Sequence, residues 1–548
     1  MRLVGRVFWG ARVKKTLISA ATICAFATGA HAGELADIQT QAKLLREQNQ
    51  ALTKRIADIE KRQRKLEAQP QKKSAVADRS ANPLMNAYAA DMPMPVKASP
   101  AAPVDDALCW KGVCLYGIID AGFGWQSHGQ PFNGAFPPGS QYLVSAGSNR
   151  ALWTMAPNAM SQSTIGLKGA YEVLPDLNAI FKVETGFDPM SGQLASGEGS
   201  LQQNDGIPLN LRSANGDSSR NGQALNGQAY VGLSSPTYGT LTIGRNNSLT
   251  LDQILGYDPM GGSYAFSPIG FSGTWAGAGS TEVGRLDQSL KYTWNYGPVH
   301  AGVIYQVGNY GSSDTEDWVH DDLQGDIGFN YQGFSVDGTA AKVRGMVSAS
   351  PLSSSPANIG LTGLAATISD NVEWMLTAKY KWDQFEVMGG YENIDFANPS
   401  DPVPVGFVNN YAYGFSTVSN IAFPTDKVLQ MMWIGGKWQA TEHLTLIAAY
   451  YHEIQNAFGT AAGVAGCSTT VSSQCSGTMD AVSFVADYVL TKHLDVYAGV
   501  EYSQMQGGLA NGAVQTSNLN PVTGAYLGPN GKSTASNIDP TVGVRYSF

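Results

Sequence analysis

Residues 541–548 read TVGVRYSF, and the fold is decided by their alternation. Val542, Val544, Tyr546 and Phe548 fall on one face of an extended chain; Thr541, Gly543, Arg545 and Ser547 fall on the other. Because side chains along a strand point to alternate faces, the segment has one apolar face and one polar face that includes a charge. A strand of this kind, with a terminal aromatic, suits a barrel that meets lipid outside and water inside.

The same pattern recurs back to Val113. In 372–382, Val372, Trp374, Leu376, Ala378, Tyr380 and Trp382 oppose Glu373, Thr377, Lys379 and Lys381. In 494–503, Leu494, Val496, Ala498, Val500 and Tyr502 oppose Asp495, Tyr497, Gly499 and Glu501. In 444–453, Leu444, Leu446, Ala448 and Tyr450 oppose Thr445, Ala449 and Glu453. Short turns are expected at 174–176, 236–238, 296–298, 332–333, 382–384, 440–442 and 491–492. Long connections are expected at 127–161, 189–223, 249–284, 310–320, 348–369, 397–426, 456–476 and 507–535. Seven turns and eight loops join sixteen strands, and an even count with short turns on one rim and long loops on the other fits an antiparallel transmembrane barrel over 107–548. The 62 glycines suit a strongly curved sheet. A soluble β-sandwich or solenoid is the competing architecture, but it has no need of apolar residues on the outer face of nearly every strand.

The N-terminal part reads differently. Arg2, Arg6, Arg12, Lys14 and Lys15 precede an apolar run from about Leu17 to Thr28 that closes on Ala30-His31-Ala32. This predicts a secretory signal over 1–32; the run is short for a transmembrane anchor. Residues 33–69 predict a parallel coiled coil in the periplasm. Its a positions are Leu35, Ala42, Asn49, Ile56 and Gln63, and its d positions are Ile38, Leu45, Leu52, Ile59 and Leu66. Arg55 and Arg62 at g match Glu60 and Glu67 at e. An amphipathic helix packed on a domain is the alternative, although such helices normally show a wider apolar stripe. Residues 70–106, rich in Pro and Ala, predict an extended linker.

The signal carries five bases and no acid. Of 35 Lys+Arg and 44 Asp+Glu, its removal leaves an acid excess of 14, which argues against nucleic acid as a partner. Outside the signal there are four cysteines, and two close pairs in an exported chain suggest the disulfides Cys109–Cys114 and Cys467–Cys475. A four-thiolate metal site is the competing reading, but the cysteines lack the tight spacing of a zinc site.

Several stretches carry a family resemblance: LYGIIDAGFGW (115–125), STIGLKGAYEVLPDLNAIFKVETGF (163–187), GQAYVGLSSPTYGTLTIGRNNSLTLD (227–252) and the closing VGVRYSF. In this order they resemble the first five strands and the last strand of Gram-negative general porins, in the branch common in α- and β-proteobacteria. The resemblance implies a homotrimer of sixteen-stranded barrels in the outer membrane, among lipid and lipopolysaccharide. It also implies that loop 3, about 249–284, folds inward to make a constriction. LDQILGYDPMGG (251–262) stands where that family carries its acidic segment, so Asp258 and Asp252 are the implied loop carboxylates. Arg245 and Arg285 match basic constriction positions, while Thr164 stands where the family commonly has an arginine. The coiled coil departs from the plain porin pattern, and peptidoglycan is a candidate contact for it.

Lys168, Lys182 and Glu184 fall on polar strand faces and are expected to line the lumen. Opposed charges across a narrow passage orient water and dipolar solutes and so favour small hydrophilic ones. The function expected is passive diffusion of such solutes and ions. The alternatives are a substrate-specific channel for organic acids or sugars, and a barrel that tethers the envelope through its stalk. The acid excess and the missing arginine at Thr164 together suggest a weak preference for cations. No catalytic residue, metal site or cofactor is expected. Beyond the signal, the histidines at 128, 300, 320, 443, 452 and 493 are scattered and no nucleophile motif accompanies them.

Overall fold

The computed structural model describes residues 108–128, 151–195, 224–269, 284–307, 322–350, 365–400, 425–458, 476–507 and 534–548. It also describes short pieces at 199–200, 407–409 and 415–419 and the single positions 43 and 423. The chain divides into two compact units, Met1–Asn82 and Pro83–Phe548. In the first, only Lys43, in helical conformation, is described. The expected signal, most of the coiled coil, the linker up to 106 and the Cys467–Cys475 pair lie outside the described residues.

The second unit holds sixteen long strands: β1 (Val113–Gln126), β2 (Ser163–Leu174), β3 (Leu177–Phe187), β4 (Ala229–Ser235), β5 (Gly239–Asn247), β6 (Arg285–Tyr296), β7 (Val299–Gln306) and β8 (Leu323–Tyr331), followed by the second half of the ring. That half comprises β9 (Phe334–Ser350), β10 (Ala365–Trp382), β11 (Phe385–Ala397), β12 (Lys427–Gln439), β13 (Leu444–Gln455), β14 (Gly477–Thr491), β15 (Leu494–Gly507) and β16 (Thr534–Ser547). Each pairs antiparallel with its neighbours in sequence, and β1 pairs with β16 from Ile118↔Ser547 to Gly124↔Thr541, closing the ring. All seven expected turns are present. One helix, α1 (Leu249–Tyr257), starts loop 3.

The alternation seen at the C-terminus holds in three dimensions. Val542, Val544 and Tyr546 are exposed on the outside, while Thr541 and Arg545 are buried inside. Outward aromatics form a belt at the short-turn rim. Trp294 stacks on Tyr296, Tyr380 on Trp382, Trp382 on Phe385 and Phe385 on Trp438. Amphipathic rings at that height suit the membrane–water interface. At the seam, Gly117 and Phe548 exchange backbone hydrogen bonds of 2.9 and 3.0 Å. A Cβ at Gly117 would stand 2.5 Å from the Phe548 ring, so glycine lets the terminal aromatic close on β1.

Inside, the seam is clasped by charge. Arg545 donates to Asp495 (2.7 Å) and Asp487 (3.0 Å). Asp120 accepts from the Tyr497 hydroxyl (2.6 Å) and from the backbone of Met160 and Ser161. The loop expected over 127–161 is corrected in part. Leu152–Pro157 is a strand paired with the upper half of β1, so the register of β2 continues past the 158–162 irregularity. Its alternation was hidden because Trp153 and Met155 occupy one face of only six residues. A disulfide joins Cys109 to Cys114 and fixes the short strand Leu108–Trp110 to the start of β1.

Candidate functional site: a loop folded into the lumen

Loop 3 turns inward because its own sequence gives it partners on the wall. Ser248 caps α1 by accepting from Leu251 N (3.0 Å), as an N-cap serine does. Gln324 of β8 accepts from Leu249 N (2.8 Å), so a barrel side chain satisfies another helix-end donor. Leu249 packs with Leu286, Ile304 and Val343, and Ile254 is fully buried. Gln253 donates to Asp337 O (3.0 Å) and Thr377 Oγ1 (2.9 Å). The Tyr257 hydroxyl donates to Asp337, and Trp433 Nε1 donates to Tyr257 O (3.0 Å). Burial, reinforced by the Asp337 carboxylate, pushes the Tyr257 pKa up and keeps it a donor.

Asp258 is wholly buried where the loop leaves α1. Its Oδ1 accepts from the Tyr451 hydroxyl (2.6 Å) and Met260 N (3.2 Å), and its Oδ2 accepts from Gly262 N (2.7 Å). Burial pushes its pKa up, against the opposing pull of these donors. Farther on, Phe266 meets Tyr497 edge-on at 6.3 Å, Ala265 N donates to Ala159 O (3.0 Å), and the Tyr264 hydroxyl donates to Gln162 (2.7 Å). The described part of the loop, up to Ile269, thus passes along the inner wall from β8 to β15 and reaches the segment before β2.

The arc from β1 to β6 carries a second group of charges. Lys168 of β2 stands in register with Lys182 of β3, and both ammonium groups lie over the Tyr116 ring, at 5.3 and 5.6 Å. Lys182 pairs with Glu184 (3.2 Å), which also accepts from the Tyr116 hydroxyl (2.9 Å). Tyr230 lies within the fields of both Glu184 and Asp252 and so connects this cluster to α1. Asp252 pairs with Lys291 of β6 and accepts from Asn247 Nδ2 (2.9 Å). Arg245 donates to Gly227 O (2.8 Å), Asn226 O (3.1 Å) and Asp287. Arg285 opens β6, and its Nε and one Nη are buried without a hydrogen-bond partner among the described residues. Thr164 is half-buried on β2, in register with Ile118 and Gly186.

The structure therefore gathers Lys168, Lys182 and Glu184 around Tyr116 and sets Asp252 and Arg245 on neighbouring ion pairs. Asp258 sits apart from them, against β13. Lys291, Asp287, Tyr451 and Gln324 were missed by sequence reading. Strand parity places Lys291 inward, but its partner is fixed only by the register with β5. The same holds for His300, Asp326 and Asp337, which come from three different strands and gather one ligand atom each within 4.8 Å of one another.

A closed ring that is apolar outside and charged inside, with a loop bound to its inner wall, defines a transmembrane β-barrel. The Gram-negative porin family model matches residues 87–508, and the chain belongs to that family. It is 25% identical over 259 residues to an outer membrane porin protein of Bordetella pertussis. That alignment covers 47% of this chain and 55% of the other, so the chain spans about half the length of the curated relative it matches. Among solved structures it is similar to an anion-selective porin from Comamonas acidovorans, with 16% identity and a TM-score of 0.49 over 80% of this chain and 99% of that one. It is also similar to OmpT of Vibrio cholerae, with 13% identity and a TM-score of 0.46 over 81% of this chain and 100% of that one.

Proposed function

We propose that the chain forms a water-filled channel in the outer membrane through which small hydrophilic solutes and ions diffuse passively. The observation that carries this reading is loop 3 bound inside a closed barrel, facing an arc of charged residues on β1–β6. Asp252 with Lys291, Arg245 with Asp287, and Lys168 and Lys182 with Glu184 are the residues we assign to the constriction and its approach. Arg285 and Thr164 flank them, and Asp258 acts there through the loop it holds. Charges on opposite sides of such a passage hold ordered water that an apolar solute must strip. We assign the working unit as a homotrimer, with the heptads of 33–69 forming a three-stranded periplasmic stalk that reaches the peptidoglycan.

Purified protein in planar bilayers should give stepwise conductance, and liposomes containing it should swell at rates that fall as the test sugar grows. Folded barrels that insert without conductance steps would overturn the proposal.

A further inference from the structure

We propose that His300, Asp326 and Asp337 form a divalent-cation site on the lumen wall, suited to Zn2+ and its first-row neighbours. The three residues come from β7, β8 and β9, and one ligand atom from each lies within 4.8 Å of the others. His300 and Asp337 are both in register with Gly328, one on each side of it. Strands two apart are separated by about 9.5 Å, so these side chains meet only across a strand that offers no side chain of its own. A Cβ at Gly328 would stand 1.6 Å from Asp337 Oδ1 and 2.2 Å from His300 Nε2. Gly302, in register with Asp326, leaves room in the same way: its Cβ would stand 2.2 Å from Asp326 Oδ1. Neither glycine has a positive φ. What the two glycines lend the cluster is room for the ligand side chains in their present positions, not a special backbone conformation.

The donor set is incomplete without a cation. His300 Nε2 and Asp337 Oδ1 are in contact, yet Asp326 Oδ1 beside them is buried and accepts no hydrogen bond. Lys291 acts on Asp326 through its field, but its ammonium is bonded to Asp252 and Asn247 O. A plain histidine–aspartate pair has no use for a second carboxylate with a bare oxygen. One imidazole and two carboxylates favour a borderline metal over Ca2+ or Mg2+, which prefer all-oxygen sites. Supporting groups are in place. Asn330 Nδ2 lies 3.1 Å from His300 Nδ1; turning that amide over puts its oxygen there, the acceptor that a metal-bound imidazole needs for its Nδ1–H. The Tyr257 hydroxyl holds the other oxygen of Asp337. A cation bound here would therefore fix the carboxylate that anchors α1. The His300 side chain keeps 21% of its surface open, which leaves coordination positions for lumen water.

The test is calorimetric titration of the full, detergent-purified protein, stripped with EDTA, using ZnCl2 and, for comparison, CaCl2. One Zn2+ per chain should bind, at least about tenfold more tightly than Ca2+. Asp326→Asn and His300→Gln should each weaken Zn2+ binding at least about tenfold, and Glu442→Gln, in an exposed turn, should leave it unchanged. Heat-dependent gel mobility reports whether each variant is folded. If a ligand variant fails to fold, Gly302→Ala fills the space of Asp326 without deleting a donor, and it too should lose binding. Absence of Zn2+ binding to the wild type, or binding undiminished in the folded ligand variants, would overturn the site.

Discussion

Tyr451→Phe removes one hydroxyl from the buried contact that ties loop 3 to the far wall and leaves the ring in place. The lost bond is short (2.6 Å), buried, and made to a carboxylate whose other partners are the Met260 and Gly262 N–H groups and the Ser267 side chain. A hydrogen bond to a charged group contributes about 1.5–3 kcal/mol. Taking ~2 kcal/mol, the local opening equilibrium of the loop should rise about 30-fold, since each 1.4 kcal/mol is a factor of ten. Native-state hydrogen exchange measures this directly. Amides of Met260 and Gly262 should exchange about 30-fold faster, whereas those of β14, whose ladder is untouched, should keep their wild-type rates. Combining Tyr451→Phe with Asp258→Asn should cost less than the sum of the two single changes, because both break one contact. Unchanged exchange at 258–266 would refute this account of how the loop is held. Acceleration spread evenly through β14 would refute it too, since the barrel rather than the loop would then have given way.

Further expectations concern the seam, the pore and pH. Arg545→Leu leaves Asp487 and Asp495 buried without their cation, so the barrel should lose about 3–5 kcal/mol, seen as a lower temperature for loss of compact gel mobility. Wild-type channels should show weak cation selectivity that fades with salt; in reversal potentials across a potassium chloride gradient, Asp252→Asn should lower that preference and Arg245→Ala, by freeing Asp287, should raise it. Burial raises the Asp258 pKa in the folded loop. Its stabilising effect is therefore complete below the ordinary aspartate value of about 3.9 and is lost as pH rises through the elevated one. Opening free energies from exchange should increase on acidification across that interval, and Asp258→Asn should abolish the trend.

The strands were legible because period-two alternation is local: Val542, Val544 and Tyr546 announce their face without reference to any other strand. The turns were legible for a similar reason, since residues such as Gly297 and Gly333 take the positive φ that a tight reversal needs. The position of loop 3 also followed from strand order. Its attachments did not. Tyr451 lies 193 residues from Asp258, and Gln324 lies 75 from Leu249, and such pairings depend on register and on how far an inward loop reaches. Asp258 illustrates the gap. Its residue type and placement in loop 3 were readable, but nothing in LDQILGYDPMGG says that its carboxylate turns to the wall rather than to open water. His300, Asp326 and Asp337 were invisible for the same reason, since their convergence depends on the absence of a side chain at Gly328.

The clasp of β1 against β15 and β16 also bears on how the molecule comes into being. Tyr497 reaches Asp120 across 377 residues of chain, and Gln126 reaches Asp539 across 413. Bringing such distant segments together carries a large loop-closure entropy, and folding slows as contacts become less local. Until 534–547 are in place, both β1 and β15 present unpaired edges, and an unpaired edge is a template for joining another chain. A chain truncated before β16 therefore does not make a smaller barrel; it makes an open sheet with two adhesive margins, prone to aggregate before it can insert.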